Sequence, residues 1–134
     1  MIVCAALAAG VASAELPQVI AHRGGSVEQD ENTLQGMKNS YEKGVRGFET
    51  DVRLTKDRRI VVLHDATLER TTDGKGKVEE LTAAEIAPAR TKKSGQPVPY
   101  LEEFLDFLKD KEGVSLQVEI KCGKYTDADL NEMC

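Results

Sequence analysis

Short runs in which hydrophobic and polar side chains alternate are the clearest pattern along this chain. Residues 47–54 read Gly-Phe-Glu-Thr-Asp-Val-Arg-Leu, and successive side chains of a β-strand point to opposite faces of a sheet. Phe48 and Val52 therefore share one face, while Glu49 and Asp51 share the other. The pattern predicts a strand over 47–54 with an apolar side and two neighbouring carboxylates.

Two short apolar runs flank this strand in the sequence. Residues 19–21 and 60–63 are each predicted to be extended. The second run follows a polar turn at 56–59, so we expect it to form a hairpin with the strand at 47–54.

A fourth run, at 116–120, repeats the alternation. Its apolar residues fall on one side and its polar residues on the other, and the polar side places Glu119 beside Lys121. This run supplies a third carboxylate to the predicted sheet.

Two segments between the strands have the period of a helix. Asn32 and Gln35 have the spacing of a capping box, which predicts a helix that ends at Gly44. After Pro99, apolar residues recur at i, i+3, i+4 and i+7, which predicts a helix that ends at Gly113. The expected apolar faces consist of Leu34, Met37 and Tyr41 in the first helix and Leu101, Phe104, Leu105 and Leu108 in the second.

The order of these elements predicts an α/β protein. Strands alternate with helices, as in sheets of parallel strands joined by right-handed crossovers. Residues 66–99 interrupt the alternation and are predicted to be a loop-rich insertion, with one short helix opened by Thr82 and Glu85. Thr126 and Asp129 predict a further helix start.

Composition limits the classes of function. The chain has 134 residues, 40% of them hydrophobic, which suits one modest folded domain. Its net charge is -5, and aromatic residues make up 4% with no tryptophan. A basic surface and aromatic platforms for bases are therefore not expected, which argues against nucleic-acid binding.

Residues 1–14 are an uncharged apolar stretch that closes on Ala-Ser-Ala. Such a stretch is typical of a secretory signal peptide, which predicts a secreted or periplasmic protein with its domain over 15–134. A buried N-terminal helix is the alternative, and the run is too short to span a membrane. Signal removal would leave Cys122 and Cys134, which can pair in an oxidising compartment or remain thiols.

Three acidic residues are candidates for a metal site. Glu49, Asp51 and Glu119 lie at or near the C-terminal ends of predicted parallel strands, where α/β folds place their sites. Three carboxylates alone would repel one another and any anionic substrate. Because oxygen ligands suit Mg²⁺ or Ca²⁺ better than Zn²⁺, the sequence predicts a site for a divalent cation.

The two histidines of the chain are candidates for proton transfer. His22 and His64 each follow an apolar run, and imidazole titrates close to neutral pH. One can take a proton from an attacking hydroxyl while the other gives one to a departing alkoxide, with Asp65 orienting an imidazole. Arg23 and Lys121 can hold phosphate oxygens. With a cation, these residues predict a phosphodiester hydrolase.

Each feature also has an ordinary structural explanation. The acid pair can be the exposed face of a strand, and the residues around His22 and His64 can be a surface pair and a hydrogen-bonded turn. Glu119 and Lys121 can form an ion pair. The functional interpretation is favoured because all of these explanations would have to hold at once.

Eight short motifs follow one another between residues 19 and 121. They are Ala-His-Arg-Gly at 21–24, Glu-Asn-Thr at 31–33, Gly-Phe-Glu-Thr-Asp-Val at 47–52, Leu-Thr-Lys-Asp at 54–57, Val-Leu-His-Asp at 62–65, Leu-Glu-Arg-Thr-Thr at 68–72, Pro-Val-Pro-Tyr-Leu-Glu-Glu at 97–103 and Val-Glu-Ile-Lys at 118–121. In this order they resemble the glycerophosphodiester phosphodiesterase family.

The resemblance implies a TIM-type (β/α)8 barrel that hydrolyses small glycerophosphodiesters, such as glycerophosphocholine, to an alcohol and sn-glycerol 3-phosphate. By match to the family's motifs, His22 and His64 take the general acid and base places, and Arg23 contacts the phosphate. The other matches are the metal positions at Glu49, Asp51 and Glu119 and a site-lining lysine at Lys121. The insertion at 66–99 matches a segment that helps to cover the substrate.

A barrel of this type takes about 250 residues and eight strands, whereas this sequence predicts about three barrel strands, a hairpin and the insertion. We therefore expect the N-terminal part of a barrel with little activity of its own. One alternative is an inactive secreted module that binds a phosphate headgroup or a partner protein. Another is a related phosphodiesterase that acts on a phospholipid such as sphingomyelin. The alcohol released, the choice between Ca²⁺ and Mg²⁺ and the oligomeric state stay open.

Overall fold

Four strands and three α-helices are present within residues 18–27 and 29–121, which are the residues that the computed structural model of the chain describes. The strands are β1 (Ile20–Ala21), β2 (Gly47–Leu54), β3 (Ile60–Val62) and β4 (Ser115–Ile120). The helices are α1 (Leu34–Glu42), α2 (Ala83–Ile86) and α3 (Leu101–Leu108). Single 3-10 turns occupy His22–Gly24 and Val78–Glu80.

Strand β2 is the centre of the sheet because it pairs with each of the other three strands. Strand β4 runs parallel to it along one edge, from Gly47 opposite Ser115 to Val52 opposite Ile120. The other edge is shared by β1, which is parallel to the start of β2, and β3, which is antiparallel to its end. The predicted parallel α/β order and the predicted hairpin are therefore confirmed.

The apolar face of β2 is buried beneath helices α1 and α3. Phe48 and Val52 are fully buried, and they share one hydrophobic core with Met37 of α1 and Phe104 of α3. Complete burial of side chains of this size stabilises a fold by about 1.5–3 kcal/mol each. Because neighbouring side chains alternate, the same burial turns Glu49 and Asp51 toward the opposite face.

The cap of helix α1 differs from the prediction. Thr33 is the N-cap, and its hydroxyl accepts a hydrogen bond of 3.1 Å from the backbone nitrogen of Gly36. The predicted capping box of Asn32 with Gln35 is wrong, because Asn32 has a φ of 56° and its side chain bonds to β2 instead. Helix α1 ends at Glu42, and the predicted stop residue, Gly44, follows its C-cap Lys43 with a left-handed φ of 92°.

Helix α3 is shorter than predicted and buries a narrower face. It begins at Leu101, where the backbone nitrogen of Tyr100 donates to Glu103, and it ends at Leu108 rather than at Gly113. The prediction that Leu105 joins the apolar face is wrong, because this side chain is 50% exposed. The buried stripe consists of residues spaced i, i+3 and i+7, at Leu101, Phe104 and Leu108.

The insertion at 66–99 has a small core of its own. Its apolar residues pack against the hairpin rather than into the main core; the cluster consists of Val61, Leu63, Leu68, Val78, Ile86, Ala89 and Val98. The predicted capping box of Thr82 and Glu85 opens α2. The insertion is therefore attached to the sheet through the end of β3, although its role as a cover for substrate stays a prediction.

Several sequence predictions fall beyond the part of the chain that the structure describes. They are the signal peptide at 1–14, the fate of Cys122 and Cys134, and the helix start at Thr126. Among the described residues, none belongs to a helix long and apolar enough to cross a membrane. The secreted or periplasmic location stays a prediction.

Candidate active site

Three carboxylates converge where β2 and β4 run side by side. The register of the two strands puts Asp51 opposite Glu119, and the alternation of side chains places Glu49 on the same face as Asp51. One oxygen atom from each of the three residues lies within 4.8 Å of the others. The structure therefore brings together the three acidic residues that the sequence singled out, while their role in metal binding stays a prediction.

The three carboxylates of the cluster differ in burial. The side chain of Asp51 is 1% exposed and that of Glu49 is 13% exposed, whereas Glu119 is 56% exposed. Oε1 of Glu49 is buried and accepts no hydrogen bond from any described residue, whereas the buried Oδ1 of Asp51 has only the Lys121 ammonium nearby, at 3.3 Å. A buried carboxylate oxygen without a donor is costly. A hard divalent cation such as Mg²⁺ or Ca²⁺ would satisfy the Glu49 oxygen.

Lys121 stands at the open edge of this acidic cluster. Its Nζ lies 2.7 Å from Oε1 of Glu119 and 3.3 Å from Oδ1 of Asp51. The contact with Glu119, reinforced by Asp51, raises the pKa of the Lys121 ammonium above its ordinary value. Lys121 is thus a permanent positive charge beside the candidate metal site.

The buried Asp51 is also held from the loop between β1 and α1. Asn32 donates from Nδ2 to Oδ2 of Asp51 at 2.8 Å, and its Oδ1 accepts hydrogen bonds from the Thr50 hydroxyl at 2.9 Å and the Asp51 amide at 3.3 Å. Asn32 was missed as a site residue because its spacing to Gln35 fitted a helix cap. The motif Glu-Asn-Thr at 31–33 was the available signal.

Arg23 lies among three carboxylates. Its backbone nitrogen donates to Oε2 of Glu49 at 2.9 Å, its Nη1 donates to Oε1 of Glu31 at 3.2 Å, and its Nε lies 3.4 Å from Oδ2 of Asp51. Arg23 has a left-handed φ of 51°, a conformation that costs a non-glycine residue about 1–3 kcal/mol and persists only where surrounding contacts enforce it. These contacts hold the guanidinium next to the acidic cluster.

The two histidines lie on separate loops, and His22 contacts a member of the acidic cluster. His22 directly follows β1, and its Nε2 lies 3.8 Å from Oε2 of Glu49 on a side chain that is 65% exposed. His64 follows β3, and its Nδ1 lies 2.7 Å from Oδ1 of Asp65. Asp65 is therefore in hydrogen-bond contact with the His64 imidazole, while its role in orienting the ring stays a prediction.

Two arginines that the sequence interpretation left without a role support His64. Arg53 donates from Nε and Nη2 to the backbone carbonyl of His64, at 3.0 and 2.8 Å. Arg70, from the insertion, forms hydrogen bonds with both Asp65 and Glu31. Hydrogen bonding to Arg70 holds the pKa of the Asp65 and Glu31 carboxyls below their ordinary values, against the opposing effect of burial.

Comparison with known proteins gives consistent results. The model of the "Glycerophosphoryl diester phosphodiesterase family" matches residues 22–133. A glycerophosphodiester phosphodiesterase from Caldanaerobacter subterraneus subsp. tengcongensis is 41% identical over 111 residues, which cover 78% of this chain and 45% of that protein.

Solved structures are similar in fold as well. A glycerophosphodiester phosphodiesterase from Agrobacterium tumefaciens is similar with a TM-score of 0.75 and 29% identity, covering 87% of this chain and 52% of that one. A phosphodiesterase from Oleispira antarctica, solved in complex with the product sn-glycerol-3-phosphate, has a TM-score of 0.72 and 35% identity, covering 79% of this chain and 45% of that one.

These matches define both the fold class and the extent of the likeness. The similar structures are TIM barrels, and the described residues form the N-terminal part of that fold, as predicted. The chain spans about half the length of the curated relatives it matches. On sequence and structure together, the chain belongs to the glycerophosphoryl diester phosphodiesterase family.

Proposed function

We propose that this chain carries the metal-binding and proton-transfer residues of an enzyme that hydrolyses glycerophosphodiesters to an alcohol and sn-glycerol 3-phosphate. The observation that carries the proposal is the convergence of Glu49, Asp51 and Glu119 within 4.8 Å. Glu49 has a buried oxygen that accepts no hydrogen bond from the described residues, and a histidine lies beside the cluster.

In this proposal the three carboxylates hold one divalent cation, either Mg²⁺ or Ca²⁺. When bound, such a cation acts as a Lewis acid on a phosphoryl oxygen. The carboxylates are suited to this task because they offer oxygen ligands from two paired strands, so their spacing is set by the backbone.

The histidines divide the proton transfers. Asp65 accepts a hydrogen bond from Nδ1 of neutral His64, so Nε2 can take a proton from the attacking hydroxyl or, once protonated, give one to the departing alkoxide. His22 takes the opposite role. The positive charges of Arg23 and Lys121 bind the phosphate oxygens and offset charge that builds up during the displacement.

The relatives support the substrate class. The phosphodiesterase from Oleispira antarctica that was solved with sn-glycerol-3-phosphate as its product is 35% identical to this chain where the two match. The same glycerol phosphate is the product that we propose here.

The proposal is tested by assaying the protein that contains this chain for release of sn-glycerol 3-phosphate from glycerophosphocholine. We expect turnover to need a divalent cation and to stop in EDTA. His22→Ala and His64→Ala should each lower kcat by about 10²–10⁴-fold, the usual contribution of a general acid or base. Glu112→Gln, which changes an exposed carboxylate outside the site, should keep the original rate.

Other outcomes would select the alternatives. Unchanged product release in both histidine variants would exclude the acid–base assignment. Binding of metal and sn-glycerol 3-phosphate without turnover would favour an inactive binding module. Preferential cleavage of sphingomyelin over glycerophosphocholine would favour a phospholipid phosphodiesterase.

A further inference from the structure

Arg70 is the one residue of the insertion that bonds to two carboxylates of the candidate site in the described chain. Its guanidinium donates to both oxygens of Asp65, with Nη2 2.9 Å from Oδ1. It also donates to both oxygens of Glu31, from Nη1 at 3.0 Å and from Nη2 at 2.6 Å. The planar fork of arginine can satisfy two carboxylates in this way, whereas the point charge of lysine cannot.

Each of these carboxylates also contacts a candidate site residue, through an oxygen that Arg70 contacts too. Oδ1 of Asp65 accepts from His64 at 2.7 Å, and Oε1 of Glu31 accepts from Arg23 at 3.2 Å. A continuous ion-pair chain therefore runs through His64, Asp65, Arg70, Glu31 and Arg23. It joins the loop after β3 to the loop after β1, although Arg70 and Glu31 are 39 residues apart in sequence.

The members of this ion-pair chain are shielded to different degrees. The side chains of Glu31 and Asp65 are 18% and 26% exposed, and that of Arg70 is 48% exposed. One oxygen of Asp65 is shared, because Oδ1 accepts from both His64 and Arg70. Arg70 and His64 therefore meet at the same acceptor atom of Asp65.

We propose that Arg70 is a positioning residue that joins the loop of His64, a proton-transfer residue, to the loop of Arg23, a phosphate-binding residue. It acts by holding Asp65 against His64 and Glu31 against Arg23 at the same time. This proposal rests on the proposed function, because it concerns the same site. The insertion thereby has a role in the candidate active site. It supplies the Arg70 guanidinium, which fixes two loops of the barrel relative to each other.

The consequence for His64 can be measured directly. As long as Asp65 stays in place, the neutral ring keeps its proton on Nδ1, and Nε2 carries the lone pair. Without Arg70, Asp65 loses the partner that positions it, and the ring can place its proton on either nitrogen. The ¹⁵N chemical shifts of the imidazole report this tautomer, and the chain has only two histidines to resolve.

The test compares the imidazole spectra of the whole chain and of its Arg70→Gln variant at a pH where both rings are neutral. We expect His64 to change from the Nδ1–H form to a mixture of tautomers, while His22, which contacts Glu49 instead, keeps its shifts. Arg90→Gln is the matched control. Arg90 also belongs to the insertion, but its Nη1 donates to the backbone carbonyls of Ala87 and Ala89.

A second variant and a kinetic measurement complete the test. Arg70→Lys keeps the charge without the fork and should restore the Nδ1–H tautomer only in part; it also serves if the glutamine variant does not fold. In an active protein, Arg70→Gln should lower kcat by about 10- to 100-fold through misplacement of His64 and Arg23, and Arg90→Gln should not.

A folded Arg70→Gln protein whose His64 keeps the Nδ1–H tautomer and its original shifts would overturn the proposal. The tautomer is read without substrate or metal, so the two proposals can fail separately. If the tautomer depends on Arg70 but the protein that contains this chain shows no turnover, only the proposed function fails. If turnover is found but the tautomer of His64 is unchanged in Arg70→Gln, only the positioning role fails.

Discussion

The two halves of the candidate site are held by different forces. The acidic cluster lies on β2 and β4, whose backbone hydrogen bonds fix the register from Gly47 opposite Ser115 to Val52 opposite Ile120. The half with His64 and Arg23 lies on loops, and the ion-pair chain through Arg70 connects them. One half is therefore set by the sheet, and the other by charged side chains.

This difference shows how each half depends on the rest of the molecule. The register of β2 is specified by burial of Phe48 and Val52, because a slip of one residue would expose both. The position of Glu49 and Asp51 thus follows from the hydrophobic core. Ion pairs that are partly exposed contribute little energy and are weakened by salt and by protonation. We therefore expect the contacts of the loop half to be lost before those of the sheet half when salt is added or the pH is lowered.

The largest expected effect comes from the core beneath the sheet. Phe104→Ala removes a fully buried side chain that packs α3 against β2, and it should lower the free energy of unfolding by about 3–5 kcal/mol. Leu105→Ala on the same helix changes a side chain that is 50% exposed and should cost about 0.5 kcal/mol. Urea unfolding followed by circular dichroism measures both; similar losses would contradict the assigned core face.

A smaller effect is expected at the contact between the loop half and the sheet half. Asn32→Gly removes the amide that bonds Asp51 and Thr50, and glycine tolerates the φ of 56° at this position. The free energy of unfolding should fall by about 1–3 kcal/mol, because a buried oxygen of Asp51 loses the Asn32 donor.

Gln35→Ala is the control for this substitution, since Gln35 bonds to Asn39 on the exposed surface of α1. It should change the free energy of unfolding by about 0.5 kcal/mol or less. Equal effects of the two substitutions in urea unfolding would show that Asn32 does not support the buried Asp51.

The smallest expected effect is the pH dependence of the ion-pair chain. Arg70 holds the folded-state pKa of Asp65 and of Glu31 below their ordinary values of 3.8 and 4.5. A lowered carboxyl pKa contributes stability above the ordinary value, and this stability is lost as the pH falls through and below that value. Wild type should therefore lose stability on acidification below about pH 5.

Arg70→Gln separates the contribution of Asp65 and Glu31 to the pH dependence of stability from that of the other carboxylates. The variant should be less stable than wild type near neutral pH by about 1 kcal/mol or less, since Arg70 is 48% exposed. The difference should shrink as the pH falls below the ordinary carboxyl values. Thermal unfolding between neutral and acid pH measures the difference in stability between the two proteins. A difference that grows on acidification would contradict the prediction.

Much of the sheet could be predicted from the sequence because its signals are local. Strand β2 has the predicted bounds, since its alternation over Gly47–Leu54 has one solution that buries Phe48 and Val52. The convergence of Glu49 and Asp51 with Glu119 followed from two alternating strands that run parallel.

The features that were missed depend on contacts between distant residues. Asn32 has a positive φ and bonds across 19 residues to Asp51, so its spacing to Gln35 gave a misleading local signal. Arg70 reaches Glu31 across 39 residues, a pairing that no local pattern encodes. The exposure of Leu105 depends on which side of α3 meets the sheet, and the helical period alone allowed a wider face.

The central claim is that Glu49, Asp51 and Glu119 together bind one divalent cation. The most direct measurement is an anomalous difference map from crystals soaked in Mn²⁺, which prefers the same oxygen ligands as Mg²⁺. The claim predicts one peak about 2.1 Å from an oxygen of each carboxylate, and its loss in Asp51→Asn crystals. A peak elsewhere, or none at these three residues, would contradict it.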